Sequence, residues 1–107
     1  MRKKEHLFIH QTRERDWIIF ITPTNSIRIS PTKSDMLTIE TYRAKKYAYF
    51  SALMDIATNM ALDAGKDRLY YSSKLSAEQL DFFKRYGFTD VSPIDRYGHY
   101  SLQKVIA

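Results

Sequence analysis

The chain of 107 residues has no cysteine. This removes disulfides and thiolate metal sites from consideration and fits a reducing compartment. Glycine is scarce as well: it occurs three times, at 65, 87 and 98, and never between Met1 and Ala64. Neither a P-loop nor a Rossmann glycine pattern can be written anywhere in the chain. No apolar run approaches the roughly 20 residues that cross a bilayer. The start, MRKKEHLFIH, is basic but lacks the apolar stretch of a signal peptide. The expectation is one intracellular, cytoplasmic domain over 1–107, with no membrane partner.

What remains is ample for a core: 44 % of residues are apolar and 14 % aromatic. The net charge is +5, from 17 Lys and Arg against 12 Asp and Glu. Such a balance suits nucleic acid or an acidic protein surface. The basic residues form only small clusters, at Arg2-Lys3-Lys4, Arg43-Lys45-Lys46 and Lys84-Arg85, and scattered charges of this kind usually solvate a surface. His6 and His10 are four apart, so in a strand they share a face. No third ligand stands at metal-site spacing, and no metal is expected.

The first third reads as strands, His6–His10, Asp16–Thr22 and Ile27–Ser30, each rich in aromatic and β-branched residues. Polar turns lie between them at 11–15 and 23–26. From Thr38 to Ala64, apolar side chains at Ile39, Tyr42, Tyr49, Phe50, Leu53, Ala57, Met60 and Ala61 fall three and four apart. This predicts one long helix, capped by Ser34 or Thr38 and stopped by Gly65. Arg68–Ser73 then reads as a strand. Ser76-x-x-Gln79 is a capping-box pattern that opens a short helix ending at Tyr86 before Gly87. Strands at Phe88–Ser92 and Tyr100–Ile106 close the chain. The predicted order is β-β-β-α-β-α-β-β, a mixed central sheet of the α/β (α+β) class with one long and one short helix packed on it.

The stretches SALMDIATNMALDAGKDRLYYSS (51–73) and SAEQLDFFKRYGFTDV (76–91) resemble the central and C-terminal parts of the GNAT acetyltransferase superfamily. In that family S-A-L-L-x-x-L-x-x-x-A-x-x-x-G leads to a strand R-L-x-L, and a second helix ends in A-x-x-F-Y-x-x-x-G-F. The resemblance covers about residues 27–106 and implies a GNAT-like fold in a small, trimmed and degenerate member, without the amino-terminal strand and helices of a full-length one. The family grips the phosphates of acetyl-CoA with a Q/R-x-x-G-x-G/A loop at the start of the long helix. Counting back from Ser51 places Lys45-Lys46-Tyr47-Ala48-Tyr49-Phe50 on that loop. A second register, with two residues inserted, matches Tyr42-Arg43-Ala44-Lys45-Lys46 to Y-R-G-K-G. In the first register Ala48 is small but Phe50 takes the second small position, in the second alanine and lysine stand where glycines belong, and a helix running through the region would turn its amides inward. At the family's general-acid position stands Phe83, whose ring has no proton to give and reads as helix-face packing. Among carboxylates near the relevant strands, Asp35, Glu40, Glu14 and Asp16, none has a distinguishing partner.

These losses imply a non-catalytic GNAT-like protein that works by protein binding. It would be an accessory or structural subunit in a larger assembly, of the kind seen in phage-encoded virion components or inhibitors of host factors, with a virion location open to it. Interface candidates are Tyr47, Tyr97, Tyr100, Arg43 and Lys46. No cofactor and no catalytic residue are then expected. The alternative is an acetyl-CoA-dependent N-acyltransferase, with Arg43, Lys45, Lys46, Tyr47 and Ala48 around the coenzyme and Tyr86 as substitute acid. A second alternative is a nucleic-acid-binding module using Arg43, Lys45, Lys46, Lys84 and Arg85.

Overall fold

The computed structural model describes residues 8–31 and 35–107. The chain starts as a meander: β1 (Phe8–Gln11), β2 (Trp17–Thr22), β3 (Asn25–Ser30) and β4 (Met36–Arg43). Then come α1 (Tyr47–Asp63), β5 (Arg68–Lys74), α2 (Ala77–Tyr86), β6 (Thr89–Ser92) and β7 (His99–Val105). The strands form one seven-stranded sheet in the order β1-β2-β3-β4-β5-β7-β6. Among the described residues only β4 and β5 run parallel, and α1 makes the crossover between them. All other neighbours are antiparallel. The fold class is the one the sequence predicts, with one strand more in the order.

That strand is the main correction. The predicted long helix over 38–64 is two elements, β4 and α1, joined by a short loop at 44–46. Thr38, one proposed cap, lies inside β4, and the other, Ser34, is outside the described residues, as is His6. The reason is visible in the pairing. Arg28 pairs with Thr41 but the next residue, Ile29, pairs with Ile39, so Glu40 is an extra residue in β4. Such a bulge breaks the alternation of two and puts Ile39 and Tyr42 on the same face three residues apart, which imitates a helical spacing.

Both helices cover one face of the sheet. α1 buries Phe50, Leu53, Met54, Ala57 and Ala61, and α2 buries Phe82 and Phe83. They meet Ile27, Ile29, Ile39, Leu69, Tyr71 and Leu102 from the strands in one apolar core. Gly65 ends α1 at φ 76°, and Gly87 ends α2 at φ 120°. The Ser76 capping box forms as predicted: the Gln79 amide donates to Ser76 Oγ (3.2 Å) and the Ser76 amide to Gln79 Oε1 (2.9 Å). The predicted turn at 11–15 is a tight hairpin, in which Thr12 N–H donates to the Asp16 carbonyl at 2.8 Å. Among the described residues no helix is long and apolar enough to cross a membrane.

Candidate functional site

The parallel pair opens at one end. β4 and β5 are paired from Met36–Arg68 to Ile39–Tyr71 and no further. β4 nevertheless runs on to Arg43, bonded to β3, and β5 runs on to Lys74, bonded to β7. The strands part where the Glu40 bulge bends β4, leaving a mouth between their carboxyl ends. In open α/β sheets ligands bind at such carboxyl-end crevices, where neighbouring connections diverge.

A cleft of roughly 510 Å³ lies at this end, lined among others by Asn25, Tyr42, Arg43, Lys45, Lys46 and Gln79. Its wall is the 44–46 loop and the first turn of α1. Lys46 is the N-cap, with φ −115° and ψ 142° and no side-chain cap. Its carbonyl receives the Tyr49 and Phe50 amides, at 3.1 and 3.0 Å. The amides of Lys46, Tyr47 and Ala48 therefore have no acceptor within the helix. Orphan helix-start amides with lysines beside them favour an anion, phosphate above all. The helix expected to run through this region instead starts at Tyr47, so these amides do not turn into a helix.

The missing glycines cost this loop no strain. Among the described residues Arg15 is the only non-glycine with positive φ, at 70°. Ala44, Lys45 and Lys46 thus reach the helix start through conformations open to any residue. These residues fit a coenzyme with a pyrophosphate: amides without helix acceptors, cations beside them, and Ala44 and Ala48 that add only a methyl group each.

The floor behind the cleft is aromatic. Phe83 is fully buried, stacked on Tyr71 at 4.8 Å and 11°, and edge-on to Tyr42, Phe50 and Phe88 at 5.5, 4.9 and 4.9 Å. It is packing, as its place in the helix pattern suggests. Tyr42 is half-buried and edge-on to Phe50, Tyr71 and Phe83. Its hydroxyl is buried beside the Gln79 side chain. Burial, helped by nearby Tyr71 and opposed by Gln79, pushes its pKa up to about 12.

Tyr86 lies elsewhere, outside the lining of the cleft. Its hydroxyl donates to Asp55 Oδ1 at 2.6 Å and is 3.5 Å from Thr58 Oγ1, on the seam between α1 and α2. Burial first, then the bond to Asp55, pushes it up to about 12. Of the four carboxylates, Asp16 is held by Arg28 at 2.8 Å, with Glu14 at 3.9 Å from the same guanidinium. Asp35 precedes β4 at the far end from the mouth, its carbonyl bonded by the Asp67 amide. Glu40, exposed on the bulge, is the one at the mouth.

The other candidates disperse. Tyr47 is stacked on Phe50 at 5.9 Å and covered by the Arg85 guanidinium at 4.1 Å. Tyr100 is half-buried against the core. Tyr97 is 64 % exposed, on the turn between β6 and β7. Lys84 is bonded to Asp90 at 2.9 Å. No group of three or more potential metal ligands occurs among the described residues. Sequence reasoning missed Asn25 and Gln79 as cleft residues. Gln79 was legible only as a cap, and the place of Asn25 depends on the β2–β3 turn folding beside Arg43.

No protein-family model and no curated protein sequence matches the chain. Solved structures do. A Bacillus subtilis acetyltransferase in complex with CoA aligns with TM-score 0.74 and 13 % identity, over 97 % of this chain and 100 % of that one. Nourseothricin acetyltransferase aligns with TM-score 0.72 and 17 % identity over 87 % of this chain, which spans only 65 % of the larger protein. The Salmonella typhimurium protein yncA, solved with its cofactor acetyl-CoA, aligns with TM-score 0.68 and 12 % identity, over 86 % of this chain and 64 % of that one. The likeness takes in more of the chain than the segment 27–106 that carries the sequence pattern. With the same mixed sheet and helices, the chain has the fold of the GNAT acetyltransferases.

Proposed function

We propose that the chain binds an acyl-coenzyme A at the mouth between β4 and β5 and serves as an N-acyltransferase of unusual site composition. One observation carries this reading: α1 begins immediately beyond the splayed end of β4, with unpaired amides at Lys46, Tyr47 and Ala48 and the side chains of Arg43 and Lys45 beside them. Those residues would hold the pyrophosphate. When bound, the coenzyme supplies an activated acyl thioester. Glu40, on the bulge at the mouth, is positioned to take a proton from an incoming amine. The Phe83 ring takes no part in proton transfer, and Tyr86 is committed to Asp55.

Titration calorimetry with CoA tests this. Saturable binding that weakens with salt is expected, as is a loss of about tenfold or more in the double variant Lys45→Ala/Lys46→Ala, since a charge-assisted contact is worth ~1.5–3 kcal/mol. No saturable binding at millimolar CoA would remove the proposal.

Phe83 favours a second reading, in which the coenzyme fold is kept and transfer is given up for protein docking. The exposed turn bearing Tyr97 is the surface for it, and an accessory subunit, virion part or inhibitor of a host factor are the forms it would take. Binding of acetyl-CoA with no acetylation across a panel of amines and peptides would side with this reading. Turnover above the uncatalysed rate would remove it.

A further inference from the structure

We propose that the free edge of β1 takes an extended acidic segment of a partner protein as an additional strand, with an apolar side chain of that segment seated in the groove beside Phe8. The inference goes beyond the coenzyme reading and does not depend on it.

The two edges of the sheet are equally short and unequally guarded. β6 has a break in register between Asp90 and Ser92, an aspartate tied to Lys84 at 2.9 Å, and Pro93 directly after it. Bulges, charges and proline are the devices that keep an edge from pairing with another chain. β1, with the sequence FIHQ, has none of them, and its four residues pair with β2 without a shift. Its outer backbone groups are therefore a regular template for one more strand. Phe8 is 68 % exposed and Ile9 48 %, and neighbours in a strand point to opposite faces. An added strand thus finds an apolar side chain on either face. At the Phe8 end lies a groove of roughly 620 Å³, lined by Phe8, Phe20, Ile21, Thr22 and Pro23.

Charge identifies the occupant. At the other end of β1 the hairpin turn presents Arg13 and Arg15, both exposed. The carboxylates next to them in the chain, Glu14 and Asp16, face the Arg28 guanidinium instead, at 3.9 and 2.8 Å. Among the described residues neither Arg13 nor Arg15 pairs with a carboxylate. Arg15 also holds φ 70°, a conformation that glycine adopts freely and arginine only at a cost. An arginine standing where glycine would be unstrained points to a use for its charge. A second copy of the chain brings no carboxylate in β1 to answer these cations, and sets a net charge of +5 against another. A nucleic acid answers the arginines but leaves the edge and the groove unfilled. An acidic strand with an apolar residue answers all three. Paired antiparallel, it runs from the turn toward Phe8, carboxylates first and the apolar residue about four positions later.

Fluorescence anisotropy with the labelled peptide Glu-Asp-Glu-Thr-Val-Thr-Phe-Thr tests the proposal. Saturable binding that weakens with salt is expected, with slowed amide exchange in β1. A counterpart with lysines in place of the three carboxylates should bind about tenfold more weakly or worse. Arg15→Gly should melt no lower than the parent, because the turn loses its strain, yet bind the acidic peptide roughly five- to tenfold more weakly. Phe8→Ser, at an exposed position, should stay folded and lose affinity to a similar degree. No binding at millimolar peptide, equal binding of the lysine counterpart, or unchanged affinity in both variants would overturn the proposal. So would a dimer in sedimentation that Phe8→Ser abolishes, which would give the edge to a second copy. Displacement of the peptide by an oligonucleotide would overturn it too, giving the arginines to nucleic acid.

Discussion

Tyr42 and Phe83 sit edge to edge in this core, one ring carrying a buried hydroxyl and the other none. The pair belongs to a wider set of tyrosines whose surroundings disfavour ionisation. Tyr42 and Tyr86 are both pushed up to about 12, and Tyr71 is raised as well, burial leading in each case. A folded-state pKa above the unfolded value, near 10, means that the folded chain holds its proton more tightly. The stability that this contributes is complete below about pH 10 and is lost as pH rises through about 12. Urea midpoints should therefore fall between pH 10 and pH 12, with tyrosinate absorbance appearing late in the folded protein. Tyr86→Phe, which cannot ionise and lacks the bond to Asp55, should be less stable at pH 7 by ~0.5–1.5 kcal/mol and show a shallower alkaline fall. An equal fall in both proteins would disprove the role of Tyr86. Much at this scale was readable in the sequence. Phe83 as packing follows from helix spacing alone. The state of Tyr42 does not, because it depends on which atoms surround one oxygen.

Among the elements, α2 was legible nearly to the residue. Its start is a local exchange of two hydrogen bonds between Ser76 and Gln79, and its stop is a positive-φ glycine, so both ends are written in neighbouring letters. Ser76→Ala should cost ~1 kcal/mol, lowering the melting temperature by about 4–8 °C for a chain of this size. Differential scanning calorimetry can read this directly, and an unchanged transition would mean that tertiary packing alone sets the helix start. β4 was illegible for the opposite reason. Its extra residue is defined by pairing with Arg28 and Ile29, residues far away in sequence, and the spacing it produces mimics a helix. A helix reading of β4 carries on through the 44–46 loop and hides the orphan amides at the start of α1. A single non-local feature thus hid the candidate site.

For the whole molecule, the sheet grades from a guarded centre to bare edges. β5 is paired on both sides and lies under the core, with Leu69 and Tyr71 buried. β1 and β6 close the two ends with four residues each, every one exposed. Local opening follows burial and pairing, so amide exchange should be fastest in β1 and β6 and slowest in β5, with the unpaired end of β4 intermediate. Bound CoA should slow exchange at 40–48 while leaving β1 unchanged. Protection in β1 equal to that in β5 would contradict this gradient. The global architecture was predictable because one parallel step between antiparallel ends follows from strand–helix–strand order and the handedness of crossovers. The mouth was not, since it is a departure from pairing.

The Glu40 bulge has a last implication. A bulge is one residue too many, so the aperture it opens is a matter of arithmetic in the chain and owes little to which side chain fills the place. Exchanging Glu40 for any other amino acid leaves the count intact and the strands still parted. Deleting it restores even alternation from Ile39 to Tyr42 and lets β4 run straight beside its neighbour. Scans that swap letters one at a time pass over such a feature, and only edits that change the length of the chain can reach it.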